Sequence, residues 1–276
     1  MSNMSTSTLG FIGAGNMASS LIDGLIRQGH APQSIIASTR HATTQDALHK
    51  RFHILATRDN HAVASAADMV VLAVKPQMLK AVLLDIAPTL HIHKPLIISV
   101  AAGISLNSIE TWLGGTLPIV RCMPNTPAQV LMGASGLYAN AHVSAAQRVQ
   151  TQAILEAVGL AVWLDTEAQI DAVTAVSGSG PAYFFLLMEA MIATGIELGL
   201  APETARALTL QTARGAAQMA VQADVDPATL RARVTSPGGT TASAIAYFDS
   251  HKLRETISGA VQAAAARSKE LTETLT

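Results

Sequence analysis

The sequence predicts an α/β protein: a doubly wound parallel sheet over residues 1–165, then an all-α domain over residues 166–276. Three observations predict it. Short apolar, β-rich runs alternate with helical stretches through the first half of the chain. A glycine-rich turn, Gly13-Ala14-Gly15-Asn16-Met17-Ala18, joins the first such run to the first helix. Strand signals then stop near residue 165, and helical periodicity takes over. Strand–helix alternation is the pattern of a parallel sheet with helices on both faces.

Taken in order, Leu9 to Ile12 is the first strand, and Ala18 to Gln28 a helix ended by Gly29. Ile35 to Ala37 is the second strand. Met69 to Val74 and Leu96 to Val100 are continuous apolar runs, as expected of strands covered on both faces. Ile119-Val120, Gly136 to Tyr138 and Ala161 to Leu164 complete the sheet. Helices are expected over 168–176, 181–198, 202–222, 227–234, 241–248 and 252–271. Pro181, Pro202 and Pro227 each suit a first helical turn, where the missing N–H has no intrahelical partner to lose.

Composition narrows the class. The 276 residues are 49% hydrophobic and only 13% charged, against about a quarter charged in ordinary soluble proteins. A surface so poor in charge points to apolar area covered by a subunit interface. The net charge of −1 gives no basis for nucleic acid or an anionic membrane as partner. The single cysteine, Cys122, forms no internal disulfide and fits a reducing, cytoplasmic setting. Met1 to Thr8 is polar and lacks the basic start and apolar run of a secretory leader. The run from Pro181 to Gly199 carries Glu189 and Glu197, which makes it too polar for a membrane span on this reading. His91-Ile92-His93 offers two metal-ligand types but no third, and reads as a solvated loop before Pro95, so no metal is expected.

The glycine-rich turn fits G-x-G-x-x-A in the context that gives it meaning, directly after a strand and opening a helix. Gly13 permits the tight turn, Gly15 lets backbone approach a pyrophosphate, and Ala18 allows close helix–strand packing. The helix start offers free N–H groups to phosphate. This is the fingerprint of a Rossmann-type dinucleotide fold. An NAD enzyme places an acid about 20 residues beyond it to hold the ribose 2′-hydroxyl. Here the segment reads Ala37-Ser38-Thr39-Arg40, with no acid before Asp46. Hydroxyls and a guanidinium suit a 2′-phosphate instead, so NADPH is expected, with NADH left open as a second donor. Ala73-Val74-Lys75-Pro76 ends a buried strand, the edge at which ligands of open sheets bind, and Lys75 is either a cofactor contact or a strand-end surface residue.

Four segments together resemble the pyrroline-5-carboxylate reductases: Phe11 to Met17, Val120-Arg121-Cys122-Met123-Pro124-Asn125-Thr126-Pro127, Asp171 to Tyr183 with its Ser177-Gly178-Ser179-Gly180-Pro181, and Val234 to Thr241. The last two at this spacing are the specific ones. The resemblance implies reduction of 1-pyrroline-5-carboxylate to L-proline by hydride from NAD(P)H. It also implies an interlocked homodimer whose helical domains build the substrate pocket, joined in some members into a ring of five dimers. It carries Ile12 to Met17, Asn60 and Ala101-Ala102 to the cofactor. It carries Glu167, Arg233, Ser236, Gly239, Thr240 and Thr241 to the substrate.

The residues of the last segment give that assignment a physical basis. Pro237-Gly238-Gly239 forms a turn into a helix start, where free N–H groups hold a carboxylate. The Thr241 hydroxyl is then the candidate hydrogen-bonding group for the ring nitrogen. The competing reading of Thr240 or Thr241 is a helix N-cap. A β-hydroxyacid dehydrogenase shares the fingerprint and the helical second domain but uses a lysine acid/base. No lysine occurs between Lys94 and Lys252, which counts against it. A non-enzymatic dinucleotide sensor would keep the fingerprint but has no need of the Ser236–Thr241 loop.

Overall fold

The computed structural model describes residues 7–275, so most of the polar opening segment lies outside the described residues. Eight strands form one sheet in the order β3-β2-β1-β4-β5-β6-β7-β8. They are β1 (Leu9–Ile12), β2 (Ile35–Ser38), β3 (Leu55–Thr57), β4 (Met69–Leu72), β5 (Leu96–Ser99), β6 (Ile119–Met123), β7 (Gly133–Ala139) and β8 (Gly159–Trp163). The first six run parallel, with the chain reversing between β1 and β4 as a doubly wound sheet does. Strand β1 shows why the runs are apolar throughout. Its successive residues point to opposite faces, Phe11 into one core cluster and Ile12 into the other. Cys122 lies in the first cluster, where burial pushes its thiol up to about 12.

Two features of the sheet depart from the sequence expectation. Strand β3 was not expected, and it is only three residues long with Leu55 exposed, so no apolar run marks it. Strand β7 pairs antiparallel with β6, Cys122 opposite Leu137, before β8 pairs parallel with β7, so the sheet is mixed at that end.

Helices α1 (Asn16–Arg27), α2 (Ala42–Phe52), α3 (Asn60–Ala66), α4 (Pro76–His93), α5 (Leu106–Leu113) and α6 (Ala145–Glu156) connect the strands. Helix α4 absorbs the His91-Ile92-His93 segment expected as a loop. Leu79, Leu83, Ile86 and Leu90 repeat at helical spacing and are all buried, which holds the helix through Pro88 to a left-handed Lys94. His91 Nε2 lies 2.8 Å from the Leu113 carbonyl and so packs α4 against α5.

The compact units divide the chain between Ser179 and Gly180 rather than at 165/166. The sheet unit keeps α7 (Gln169–Val173) and the π-turn Thr174–Gly178, and it also takes the chain from Ala264 onward. Packing explains this. Ile170 and Ala175 are buried, Ser268 donates to Asp171 at 2.7 Å, and Leu275 reaches Gly103.

The other unit, Gly180–Ala263, is helical throughout. It contains α8 (Gly180–Glu197), α9 (Pro202–Gln222), α10 (Pro227–Arg233), α11 (Thr240–Ser250) and the first part of α12 (Leu253–Leu275). Gly195 lets α8 approach Ala205 of α9. Within this unit α8 buries little: Phe184, Phe185 and Leu186 are 64%, 63% and 67% exposed. With α7 and the π-turn, α8 forms a helical run, Gln169–Glu197, long and apolar enough by length and composition to cross a membrane. Glu189 and Glu197, on which the sequence reading rested, lie within it.

Candidate active site

The glycine-rich turn is built as the fingerprint requires. Gly13 has φ of +91°, and a Cβ there would sit 2.9 Å from the Ala73 backbone. Only glycine fits both constraints. Gly15 is different: it caps α1 with extended backbone, and a Cβ on it would meet nothing within 4 Å. The space beside Gly15 is open on the side where the α1 N–H groups emerge.

That turn forms one wall of a cleft of about 310 Å³ at the carboxyl ends of β1, β2, β3 and β4. Of the expected cofactor residues, Gly13, Ala14, Gly15, Ser38, Thr39, Arg40, Asn60, Ala73, Val74 and Lys75 line it. Ile12, Asn16, Met17, Pro76, Ala101 and Ala102 do not. Ile12 and Ala101 are core residues, Met17 packs against the core, Pro76 opens α4, and the Asn16 carbonyl accepts from Ser20. Ala102 lies exposed after β5.

Five further residues line the cleft that sequence reasoning missed: His41, Thr44, Arg58, Met78 and Val82. Arg58 follows the unexpected strand β3, so nothing in the sequence placed it. No carboxylate lines the cleft, while Arg40, Arg58 and Lys75 do. Such a wall suits a polyanion.

Ser38 has a different task from the one its sequence position suggests. It is buried, and its hydroxyl donates to Asn60 Oδ1 at 2.7 Å. Ser38 therefore orients Asn60, the first residue of α3, and that amide faces the cleft with its nitrogen unengaged among the described residues.

Glu167 is held firmly within the sheet unit. Its Oε1 accepts from Arg121 Nη1 at 2.6 Å and from the Leu106 backbone N–H at 2.8 Å. The Arg121 side chain is 5% exposed and that of Glu167 27%. Glu167 is thus held in place by two donors on one carboxylate oxygen.

The Ser236–Thr241 loop lies in the helical unit. Gly238 adopts φ of +70°, and the Gly239 N–H donates to the Ser236 carbonyl at 3.0 Å, closing a tight turn. Helix α11 begins at Thr240, one residue before the sequence suggested, and its N-cap is Gly239, with no side-chain cap. The N-cap reading of Thr240 and Thr241 is therefore removed. Among the described residues the Thr241 hydroxyl has no hydrogen-bond partner, and the first-turn N–H groups have no intrahelical acceptor. Arg233 ends α10, exposed and without an ion pair among the described residues.

Comparison with known proteins decides the family. A pyrroline-5-carboxylate reductase from Pseudomonas aeruginosa is 56% identical over 272 residues, covering 99% of both chains. This chain belongs to the pyrroline-5-carboxylate reductase family. Residues 167–271 match the family model for pyrroline-5-carboxylate reductase dimerisation, and residues 8–103 match that for NADP oxidoreductase, coenzyme F420-dependent. The pyrroline-5-carboxylate reductase structure from Coxiella burnetii has 45% identity and a TM-score of 0.93, covering 97% of this chain and 99% of that one. The Plasmodium falciparum pyrroline carboxylate reductase, solved with NADP bound, has 30% identity and a TM-score of 0.87, covering 98% of this chain and 100% of that one.

Family membership gives the exposed apolar face of α8 its meaning. The dimerisation model spans the whole of α8, α9, α10 and α11. An apolar helix face left open in one chain is what a pairing domain presents.

Proposed function

We propose that this chain reduces 1-pyrroline-5-carboxylate to L-proline with hydride from NADPH, working as a homodimer in the cytoplasm. The observation that carries the reading is the 56% identity over 99% of the chain to a pyrroline-5-carboxylate reductase. The geometry supports the cofactor and substrate parts of it.

The cleft residues fit a phosphorylated dinucleotide. Gly13, Ala14 and Gly15 would take the pyrophosphate on bare backbone, and Lys75 would add charge beside it. Arg40 would meet the 2′-phosphate, and Asn60, held by Ser38, would contact the cofactor from the α3 side. NADPH supplies the hydride when bound.

The remaining work is binding and orientation. The free N–H groups at the start of α11, with Ser236, Gly239 and Thr240 around them, would hold the substrate carboxylate. Thr241 would place its hydroxyl at the ring nitrogen. Hydride adds to the imine carbon, and the C=N π pair moves onto nitrogen, which already carries the proton that made the carbon electrophilic. Holding that geometry is proximity catalysis and needs no covalent partner from the protein. Glu167 and Arg233 are the further substrate contacts proposed, Glu167 through Oε2, since Oε1 is engaged by Arg121 and Leu106.

The test follows NADPH oxidation with pyrroline-5-carboxylate, piperideine-2-carboxylate and a 3-hydroxyacid/NADP pair in parallel. The expected result is turnover of pyrroline-5-carboxylate well above the others. Preferred turnover of the hydroxyacid pair overturns the reading. Light scattering on the same sample gives the mass of a dimer or a multiple of it; a fully active single chain overturns the dimer.

A further inference from the structure

We infer that Arg58 is a second 2′-phosphate residue, forming with Arg40 a two-guanidinium clamp that sets the preference for NADPH over NADH. The inference extends the cofactor reading above and rests on it.

The sheet register brings the two arginines together. Strands β2 and β3 pair parallel with Ser38 opposite Thr57, and the Thr39 N–H donates to the Thr57 carbonyl at 3.0 Å, carrying the pairing one step past β2. Arg40 and Arg58 therefore leave adjacent strands at the same carboxyl edge. Both line the cleft, with His41, Thr44 and Asn60 around them.

No described residue neutralises this pair. No acid lines the cleft, and among the described residues neither guanidinium is in an ion pair. The acid beside Arg58 in sequence is committed elsewhere. Asp59 caps α3, its Oδ1 accepting the His61 N–H at 2.8 Å, while its own N–H is tied to Thr57 Oγ1 at 3.1 Å. Two neighbouring cations with no counter-charge repel when the cleft is empty, and a dianion between them relieves that repulsion. A phosphate also matches the forked donors of both side chains, whereas a ribose 2′-hydroxyl offers no charge to either. Arg58 should therefore act on the 2′-phosphate alone and leave the common part of the dinucleotide untouched.

The test measures dissociation constants for NADPH and NADH by nicotinamide fluorescence, and for 2′,5′-ADP by competition, on the full-length wild type, Arg58→Gln and Arg58→Lys. Arg58→Gln should weaken NADPH and 2′,5′-ADP by about 10-fold, the scale of one exposed charge-assisted contact, with NADH unchanged. Arg58→Lys should recover part of the loss. Unchanged NADPH and 2′,5′-ADP binding in Arg58→Gln overturns the inference, and so does an equal loss for NADH. A wild type that binds NADH as tightly as NADPH is a separate failure: it overturns the cofactor reading itself.

Discussion

Thr241→Ala separates a catalytic hydroxyl from a structural one, and the structure fixes the sign of the stability effect. Gly239 caps α11 without any side chain, and Thr241 is the second residue of the helix. Its hydroxyl has no partner among the described residues, so truncation breaks no internal hydrogen bond. Alanine is also the better helix former, by up to about 0.7 kcal/mol. The melting temperature of Thr241→Ala should therefore hold or rise slightly. Catalysis should move the other way. A hydrogen bond to a charged ring nitrogen contributes about 1.5–3 kcal/mol, which is roughly a 10- to 100-fold fall in kcat/KM. Thr241→Ser keeps the hydroxyl and should keep most of the activity. Stopped-flow NADPH oxidation and thermal melts on both variants supply the two numbers. Near wild-type turnover in Thr241→Ala would remove Thr241 from the chemistry. A fall in melting temperature of several degrees would show that the hydroxyl is structural after all.

Three further expectations come from the sheet unit. Gly15→Val should abolish NADPH binding by calorimetry while the protein still melts cooperatively, because a Cβ at Gly15 meets no protein atom; Gly13→Ala should instead destabilise the fold, since φ is +91° and the Ala73 backbone blocks the new atom. Arg121→Met should cost about 2 kcal/mol by denaturant titration, less than a fully buried ion pair because Glu167 keeps the Leu106 N–H, and should raise the KM for the imine if Oε2 of Glu167 touches it; unchanged stability and KM would show that the pair holds nothing in place.

How far the sequence reaches depends on what each element buries. Strands β1, β4 and β5 are buried along their whole length, so their apolar runs are unmistakable. Strand β3 is three residues with an exposed leucine and exists because β2 offers it a pairing edge, a tertiary cause that leaves no local mark. The cost of missing it was Arg58, whose place in the cleft depends on that pairing. The glycine fingerprint was legible because the turn itself demands those residues. Ser38 was legible as a cleft residue but not in its role, since its hydrogen bond to Asn60 joins positions 22 residues apart. The domain boundary at 165/166 followed the change in periodicity, whereas the compact unit follows packing, which α7 and the last turns of α12 share with the sheet.

The two internal motifs that carried the family resemblance are one structural device. Between α7 and α8 the helix widens by one residue: the Ser179 N–H bonds the Thr174 carbonyl at 2.7 Å, the five-residue step of a π-turn. The residue four positions beyond Ser177 is Pro181, which has no N–H, so the Ser177 carbonyl lacks its usual helical donor. Asn125, from the Met123-Pro124-Asn125-Thr126-Pro127 segment, supplies the donor. Its Nδ2 reaches the Ser177 carbonyl at 3.0 Å, while its Oδ1 accepts the Ala134 N–H at 2.8 Å. The same side chain therefore ties the turn to the start of β7. Gly178 lies against the Met123 side chain, whose flexible end would have to shift for a Cβ placed 2.6 Å from its Cε. A serine–glycine run at 177–180 and a Met-Pro-Asn segment 50 residues earlier look independent in sequence. In space they meet: the Asn125 amide donates to the Ser177 carbonyl, and Gly178 leaves room for the Met123 side chain. Their joint appearance is thus more informative than either alone, because a chain that kept the turn and lost Asn125 would take this partner from both the Ser177 carbonyl and the Ala134 N–H.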